Sequence, residues 1–483
     1  MKSNFLSIER ERTLTPLYAG CELNVGERQI VILPDGSKTD VTVLDLDVRS
    51  DTIRAAIRMA RVRVMVNGEC IWVPVAGYNL PSTVGGFQVD CPAIRMLSNK
   101  REDVWRLERD VRLRFWSAGS PWIRPGTMRY PARQRWFATD TQMCNEPCFV
   151  GGAEYAGRDR IYYHDGLDIG GSEGDTELIA AADGILLGVG ERIHERAQDY
   201  ELQPRYDRVF LLDGRDWVHI YSHVKTIVPK LRPGMAVTMG DPIGFLGKEG
   251  SSGGWSHLHY GIKARQPSGM LASEEGYPFL WQTYCTEYVP KILAVARPHQ
   301  FVPAGQPVVV DGSRSWAASS EGIANYHWQF SDGTEARRAS VKRIYSRPGI
   351  YSEILTVRDA KGNVSVDFAV VQVIGRYEAD ALPPGIHATY HPTLDLRPGL
   401  PVTFKVRSFY VERGEEVWNF GDGSPAVSVS SVPVGSSGSC HHSEGYASCK
   451  HVYAKPGRYI ATATRKGSNE LTATTRLCVV VEE

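Results

Sequence analysis

The sequence predicts an all-β protein built from several domains, and three observations carry that reading. Alternation of apolar and polar residues runs through most of the chain, broken by Gly, Pro and Asp at turn spacing. Helical periodicity is nearly absent. Two related segments in the C-terminal part repeat one tryptophan and glycine pattern, the mark of a duplicated domain rather than a solenoid. At 483 residues the chain exceeds one compact domain and suggests about three to four. Its 55 Lys+Arg against 55 Asp+Glu leave no net charge, which disfavours a nucleic-acid partner. No run approaches about eighteen apolar residues, so no transmembrane segment is expected. The opening stretch MKSNFLSIERERTLTPLY shows no apolar core of a secretory signal peptide.

Residues 1–149 form the first unit, β-rich and without an assignable role. Asp35-Gly36 lies between RQIVIL and TDVTVLDLDV, and Asn67-Gly68 between RVRVMV and CIWVPV. Both dipeptides supply the positive φ of two-residue hairpin turns. In DVRLRFW, Val111, Leu113 and Phe115 share one face, with Arg112, Arg114 and Trp116 on the other. Six arginines and two tryptophans pass between Arg112 and Arg135 without an acidic residue. A groove for an anionic or sugar polymer is one reading; the reading adopted is an amphipathic sheet whose arginines are solvated.

Residues 150–292 form the second unit. Strand-like runs such as RVFLLDGRDWVHIYSHV and MAVTMGDPIGFLG, with a further hairpin signal at Asp213-Gly214, predict a compact antiparallel domain able to fold on its own. Two β-sandwiches follow, at 293–376 and 377–483. The first carries WQFSDG (Trp328 to Gly333) and then RPGIY; the second carries WNFGDG (Trp418 to Gly423) and then KPGRY, with a Ser/Gly/His-rich insertion around Gly435 to Ser448. The Asp-Gly pairs read as turn chemistry rather than as a calcium site. Cys144 with Cys148, and Cys440 with Cys449, each flank a short loop and could close local disulfides in an oxidising compartment.

Five residues of the second unit carry the chemistry: His164 and Asp168 in YYHDGLDIG, His223 in HIYSHV, and His257 and His259 in SHLHYGI. Imidazole nitrogens and a carboxylate suit zinc, and a catalytic zinc takes three protein ligands while keeping a position open. In a strand, His257 and His259 project from the same face, and the same alternation puts His219, Tyr221 and His223 together. The turn Asp165-Gly166-Leu167 could swing His164 and Asp168 toward one point. His194 and His219 fit no motif, and Asp165 and Asp183 suit turns better than catalysis.

These motifs, HxxxD, then YxH, then HxH after the Gly/Ser-rich GKEGSSGGWS, resemble those of the lysostaphin-type (LytM-like) zinc metallopeptidases that cut peptide bonds in bacterial peptidoglycan. The resemblance covers about residues 150–290 and lacks no motif position. It implies a β fold of the barrel-sandwich (duplicated hybrid) type, with His164, Asp168 and His259 as zinc ligands. His223 and His257 would then orient and deprotonate a zinc-activated water and stabilise the oxyanion, with Tyr221 as a further oxyanion or groove residue. It also implies peptidoglycan peptides as partners and a secreted or cell-envelope location. The two C-terminal copies resemble polycystic-kidney-disease (PKD) domains, modules that could engage a cell-surface polysaccharide or protein; Ser331 stands where that pattern has glycine.

Rival readings are a non-catalytic relative that binds peptidoglycan or activates another hydrolase, a biotinyl-lipoyl-type carrier, and a surface adhesin dominated by the PKD-like copies. A non-catalytic relative typically loses ligands, whereas all five positions are filled here. A carrier needs a lysine at a tight turn and has no use for the histidines. Stoichiometric zinc would argue against the adhesin.

Overall fold

A computed structural model describes residues 13–51, 55–97, 103–141, 144, 147–149, 161–375, 383–434, 445–468 and 470–483. Strand accounts for 49% of the residues and helix for 5%, which makes the chain all-β, and among the described residues no sheet closes into a barrel. No helix of the described residues is long and apolar enough to cross a membrane.

The N-terminal unit pairs a four-stranded meander, Arg28–Ile32 to Glu69–Pro74, with a second four-stranded sheet that contains Val111–Ser117. Asn67 and Gly68 both take positive φ in a two-residue turn closing Val66 on Glu69, as the dipeptide requires. The Asp35-Gly36 loop is longer: Ile32 pairs with Lys38 and only Gly36 has positive φ. Alternation in Val111–Ser117 is as read, with Val111, Leu113 and Phe115 in the N-terminal core. The arginines, however, are not solvated. Arg112 and Arg114 are each 1% exposed, because the segment Ser273 to Glu275 of the second unit covers their face. Arg112 pairs with Glu22 at 2.8 Å, and Arg114 with Asp90 and Glu274 at 2.5 Å each. The acidic partners lie far off in sequence, so the local run gave no sign of them.

The second unit packs an eight-stranded sheet and a three-stranded sheet around one core. That core extends into the preceding segment: Trp116, Ile123, Met128, Tyr130 and Trp136 belong to it, with Trp136 5.5 Å from Trp281 between ring centroids. The helix Tyr277–Tyr288 lies in the same aromatic cluster. Sequence periodicity missed this helix because Tyr277, Phe279, Leu280, Trp281 and Tyr284 are buried on several faces, leaving no amphipathic stripe, and aromatics favour strands by propensity. At Asp213-Gly214 the hairpin forms, but Asp216 rather than Gly214 takes the positive φ.

In each C-terminal sandwich the motif tryptophan, Trp328 or Trp418, is fully buried. Asp332 accepts from Thr334 N at 3.0 Å and Asp422 from Ser424 N at 3.1 Å, the turn chemistry expected. The two copies join edge to edge. Gly349–Asp359 of the first runs parallel to Thr472–Val481 of the second, Ile350 opposite Ala473, within one nine-stranded sheet. The side chains of Cys148 and Cys440, and most of the 435–448 insertion, lie outside the described residues.

Candidate metal centre and its flanking histidines

Strand pairing assembles the site. Leu167–Gly170 runs antiparallel to His257–Arg265, with Asp168 opposite His259 and Gly170 opposite His257. On the other side of His257–Arg265 lies Val218–Ser222, with Ser222 opposite His259. Backbone register thus brings three distant motifs to one end of the sheet. Gly170 must be glycine: a Cβ there would fall 1.9 Å from Thr139 Oγ1.

Three donor atoms converge. His259 Nδ1 lies 3.0 Å from His164 Nε2 and 3.0 Å from Asp168 Oδ1, and His164 Nε2 lies 3.1 Å from that same oxygen. Ligands about 2.0–2.1 Å from a tetrahedral ion stand about 3.3 Å apart, so the triangle has the size of one tetrahedral face. Two imidazole nitrogens and a carboxylate oxygen converging on one point are the donor types a divalent cation takes. The donor set fits a divalent metal. Burial alone would raise the Asp168 carboxyl, but the His164 and His259 rings in hydrogen-bond contact hold it well below the usual carboxylate range, so it is anionic.

His223 and His257 flank the triad, their ring centroids 4.7 Å apart. His223 does not reach the site by alternation. The strand Val218–Ser222 ends, His223 takes φ 67°, and Val224–Ile227 continues in the three-stranded sheet. A left-handed residue at this crossing turns the corner and aims the ring at its neighbours. Asp207 secures it, accepting from His223 N at 2.9 Å.

Each flanking imidazole is oriented by a backbone carbonyl. His223 Nδ1 lies 2.6 Å from Glu249 O, and His257 Nδ1 lies 3.0 Å from Trp255 O. A carbonyl only accepts, so both Nδ1 atoms carry protons and both Nε2 atoms are left as bases. His257 Nε2 stands 3.6 Å from Asp168 Oδ2. Burial lowers the pKa of His223 and pushes His257 down to about 3, which keeps both neutral near pH 7.

Tyr221 is not part of the site. It is fully buried, and its hydroxyl donates to Ile179 O at 3.0 Å and accepts from Ala181 N at 2.7 Å. The face it shares with His219 is the sheet's interior, and only the backbone reversal at His223 separates the third residue from them. His219 lies between Tyr260 Oη at 2.6 Å and Asp213 Oδ2 at 3.1 Å. Asp207, Glu249 and Trp255 escaped sequence reasoning. The last two act through main-chain oxygens, which leave no side-chain signature.

Residues 162–269 match the model of peptidase family M23, and residues 290–373 that of the PKD domain. No curated protein matches the chain. Among solved structures, the chain is similar to a protein assigned as the glycyl-glycine endopeptidase LytM of Ruminococcus gnavus, at 20% identity over 32% of this chain and 60% of that one, TM-score 0.21. It is also similar to Helicobacter pylori Csd3 (13% identity, 49% of this chain and 57% of that one, TM-score 0.22). A third is a protein assigned as a peptidase of family M23 from Pseudomonas aeruginosa (15% identity, 54% of this chain and 92% of that one, TM-score 0.21). The chain thus spans about 60% of the first two. The matches thus place a region similar to peptidase family M23 at 162–269 and one similar to a PKD domain after it, at 290–373.

Proposed function

We propose that the protein is a zinc-dependent endopeptidase acting on peptidoglycan cross-links or stem peptides, with His164, Asp168 and His259 as the metal ligands. The observation that carries this is the triangle of donor atoms flanked by two imidazoles whose Nε2 atoms are unprotonated. Zinc bound there would supply Lewis acidity toward a substrate carbonyl and acidify the attacking water. His257 Nε2 accepts the proton of that water and returns it to the leaving amine. His223, whose Nε2 is likewise unprotonated, accepts a hydrogen bond from the same water and orients its attack.

The family match supports peptide-bond hydrolysis, and such a substrate implies a secreted or cell-envelope location. We divide the chain at 149, 292 and 376, with the segment from Trp116 to Trp136 serving the peptidase core. The PKD-like copies are assigned to attachment to a surface polysaccharide or protein. The test is digestion of purified peptidoglycans of different cross-link chemistry, with new termini identified by mass spectrometry. Chelator-sensitive termini restored by zinc are expected. A zinc-loaded chain that generates none on any cross-link type overturns the proposal.

A further inference from the structure

We propose that the C-terminal sandwich is a positioning element for His257, acting through the loop that supplies its orienting carbonyl. The inference rests on the catalytic reading of His223 and His257 given above. Both carbonyls, Glu249 O and Trp255 O, belong to the segment from Lys248 to Ser256. In that segment Gly250, Gly253 and Gly254 all take positive φ, and the internal hydrogen bonds are local: Ser252 Oγ to Lys248 O, Gly254 N to Ser252 Oγ at 3.1 Å and Trp255 N to Ser252 O at 3.3 Å. Its two ends are tied to the same domain by Gly250 N to Tyr206 Oη at 2.9 Å and Ser256 Oγ to Gly171 O at 2.7 Å, which leaves the Gly253 to Trp255 stretch between them.

The second PKD-like copy holds it from outside. Arg407, itself 1% exposed and anchored on Val432 O at 3.1 Å, donates to Gly254 O at 3.0 Å. Tyr446 Oη accepts from Ser256 N at 2.9 Å and hydrogen-bonds His387 Nδ1 at 2.7 Å. The Trp255 indole lies flat on Phe409, centroids 4.0 Å apart and planes within 4°. Loop and sandwich are shaped to each other, since a Cβ on Gly254 would meet Arg407 Nη1 and Val434 Cγ2, both at 2.9 Å. Contacts on both sides of the Trp255 carbonyl therefore fix where it points, and with it the Nδ1–H of His257. The metal triad is held differently, by strand register, and needs none of these contacts.

Releasing the loop should leave the ligands in place and misorient the base. Misplacement of about 1 Å can cost about 10²-fold in rate. The test uses the full chain carrying Arg407→Met, Arg407→Lys as the conservative variant, and Tyr446→Phe as the mildest change. Four quantities are read: kcat, KM, bound metal, and the nitrogen shifts of 15N-labelled histidines, which report which ring nitrogen carries the proton. We expect Arg407→Met to lower kcat about 10- to 100-fold with KM and metal content held, and to convert the His257 signals from one tautomer to a mixture. Arg407→Lys, which can still donate to Gly254 O, should restore most of the rate. Tyr446→Phe should act in the same direction, more weakly. A folded Arg407→Met or Tyr446→Phe chain with wild-type His257 shifts overturns the proposal, as does a rate loss matched by lost metal. If the wild-type chain cleaves nothing, the function proposed above fails, while the nitrogen shifts still decide whether the sandwich sets the His257 tautomer.

Discussion

His257 and His259 stand two residues apart on one strand, yet their surroundings divide their work. His259 faces His164 and Asp168 at 3.0 Å, whereas His257 is turned by Trp255 O and stands further from the carboxylate. His259→Ala should therefore lose metal and activity together. His257→Ala and His223→Ala should keep the metal and lose about 10²–10⁴-fold in rate, the scale of a positioned acid–base group. His219→Ala, inside the sheet, should still bind metal. Metal analysis beside steady-state kinetics checks the set, and a metal-free His257→Ala with a loaded His259→Ala would reverse the assignment. Tyr221→Phe leaves Ala181 N–H without its buried acceptor and should cost about 1–3 kcal/mol in urea unfolding while the folded fraction keeps its rate. Five of the proposed site residues were legible because imidazoles and carboxylates at motif spacing have few other uses. Tyr221 was misread because alternation fails where a residue leaves the β region, as His223 does at φ 67°.

Strands were legible wherever one face met a core and the other met water. Where both faces are covered the pattern misleads, and Val111–Ser117 is the case in point: its faces were sorted correctly, but the arginine face lies against the peptidase unit. Arg114→Met would strand Asp90 and Glu274 without their shared cation in a buried site. The expected loss is about 3–5 kcal/mol, the usual result of breaking a buried ion pair from one side. Arg28→Ala, whose pair with Asp40 is exposed, should leave the urea midpoint almost unchanged, so the two midpoints measured together check the contrast. The helix Tyr277–Tyr288 stayed illegible for the same reason, since burial on several faces erases the stripe on which recognition depends.

At the scale of the whole molecule, the duplicated sandwiches were legible from their repeat, whereas their docking was not. Docking contacts join single residues hundreds of positions apart and leave no pattern in either segment. Asp140 sits at such a junction, with Thr475 Oγ1 donating to it at 2.9 Å and His387 Nε2 3.9 Å away. Burial raises its carboxyl to about 6 despite the Arg297 guanidinium. A carboxyl whose folded pKa is raised binds its proton more tightly in the folded state. Its ionisation therefore costs stability progressively between about pH 4 and 6, on the order of 2–3 kcal/mol when complete. Asp140→Asn should raise Tm at pH 7.5 and give no gain at pH 4; equal effects at both values would contradict this. The edge-to-edge union has a consequence for solubility. Within the first sandwich, Ile323–Gln329 pairs with Gly349–Asp359 only from Ile354 onward, so the stretch before it would present unpaired donors and acceptors but for Thr472–Val481. An uncovered edge is a template for strand addition by another molecule. A chain ending at Gly375 should self-associate in proportion to concentration by light scattering, and Ile350→Lys in that shortened chain should suppress it. In this light the second copy is a guard against fibre-like assembly, keeping its twin's open strand from recruiting strangers.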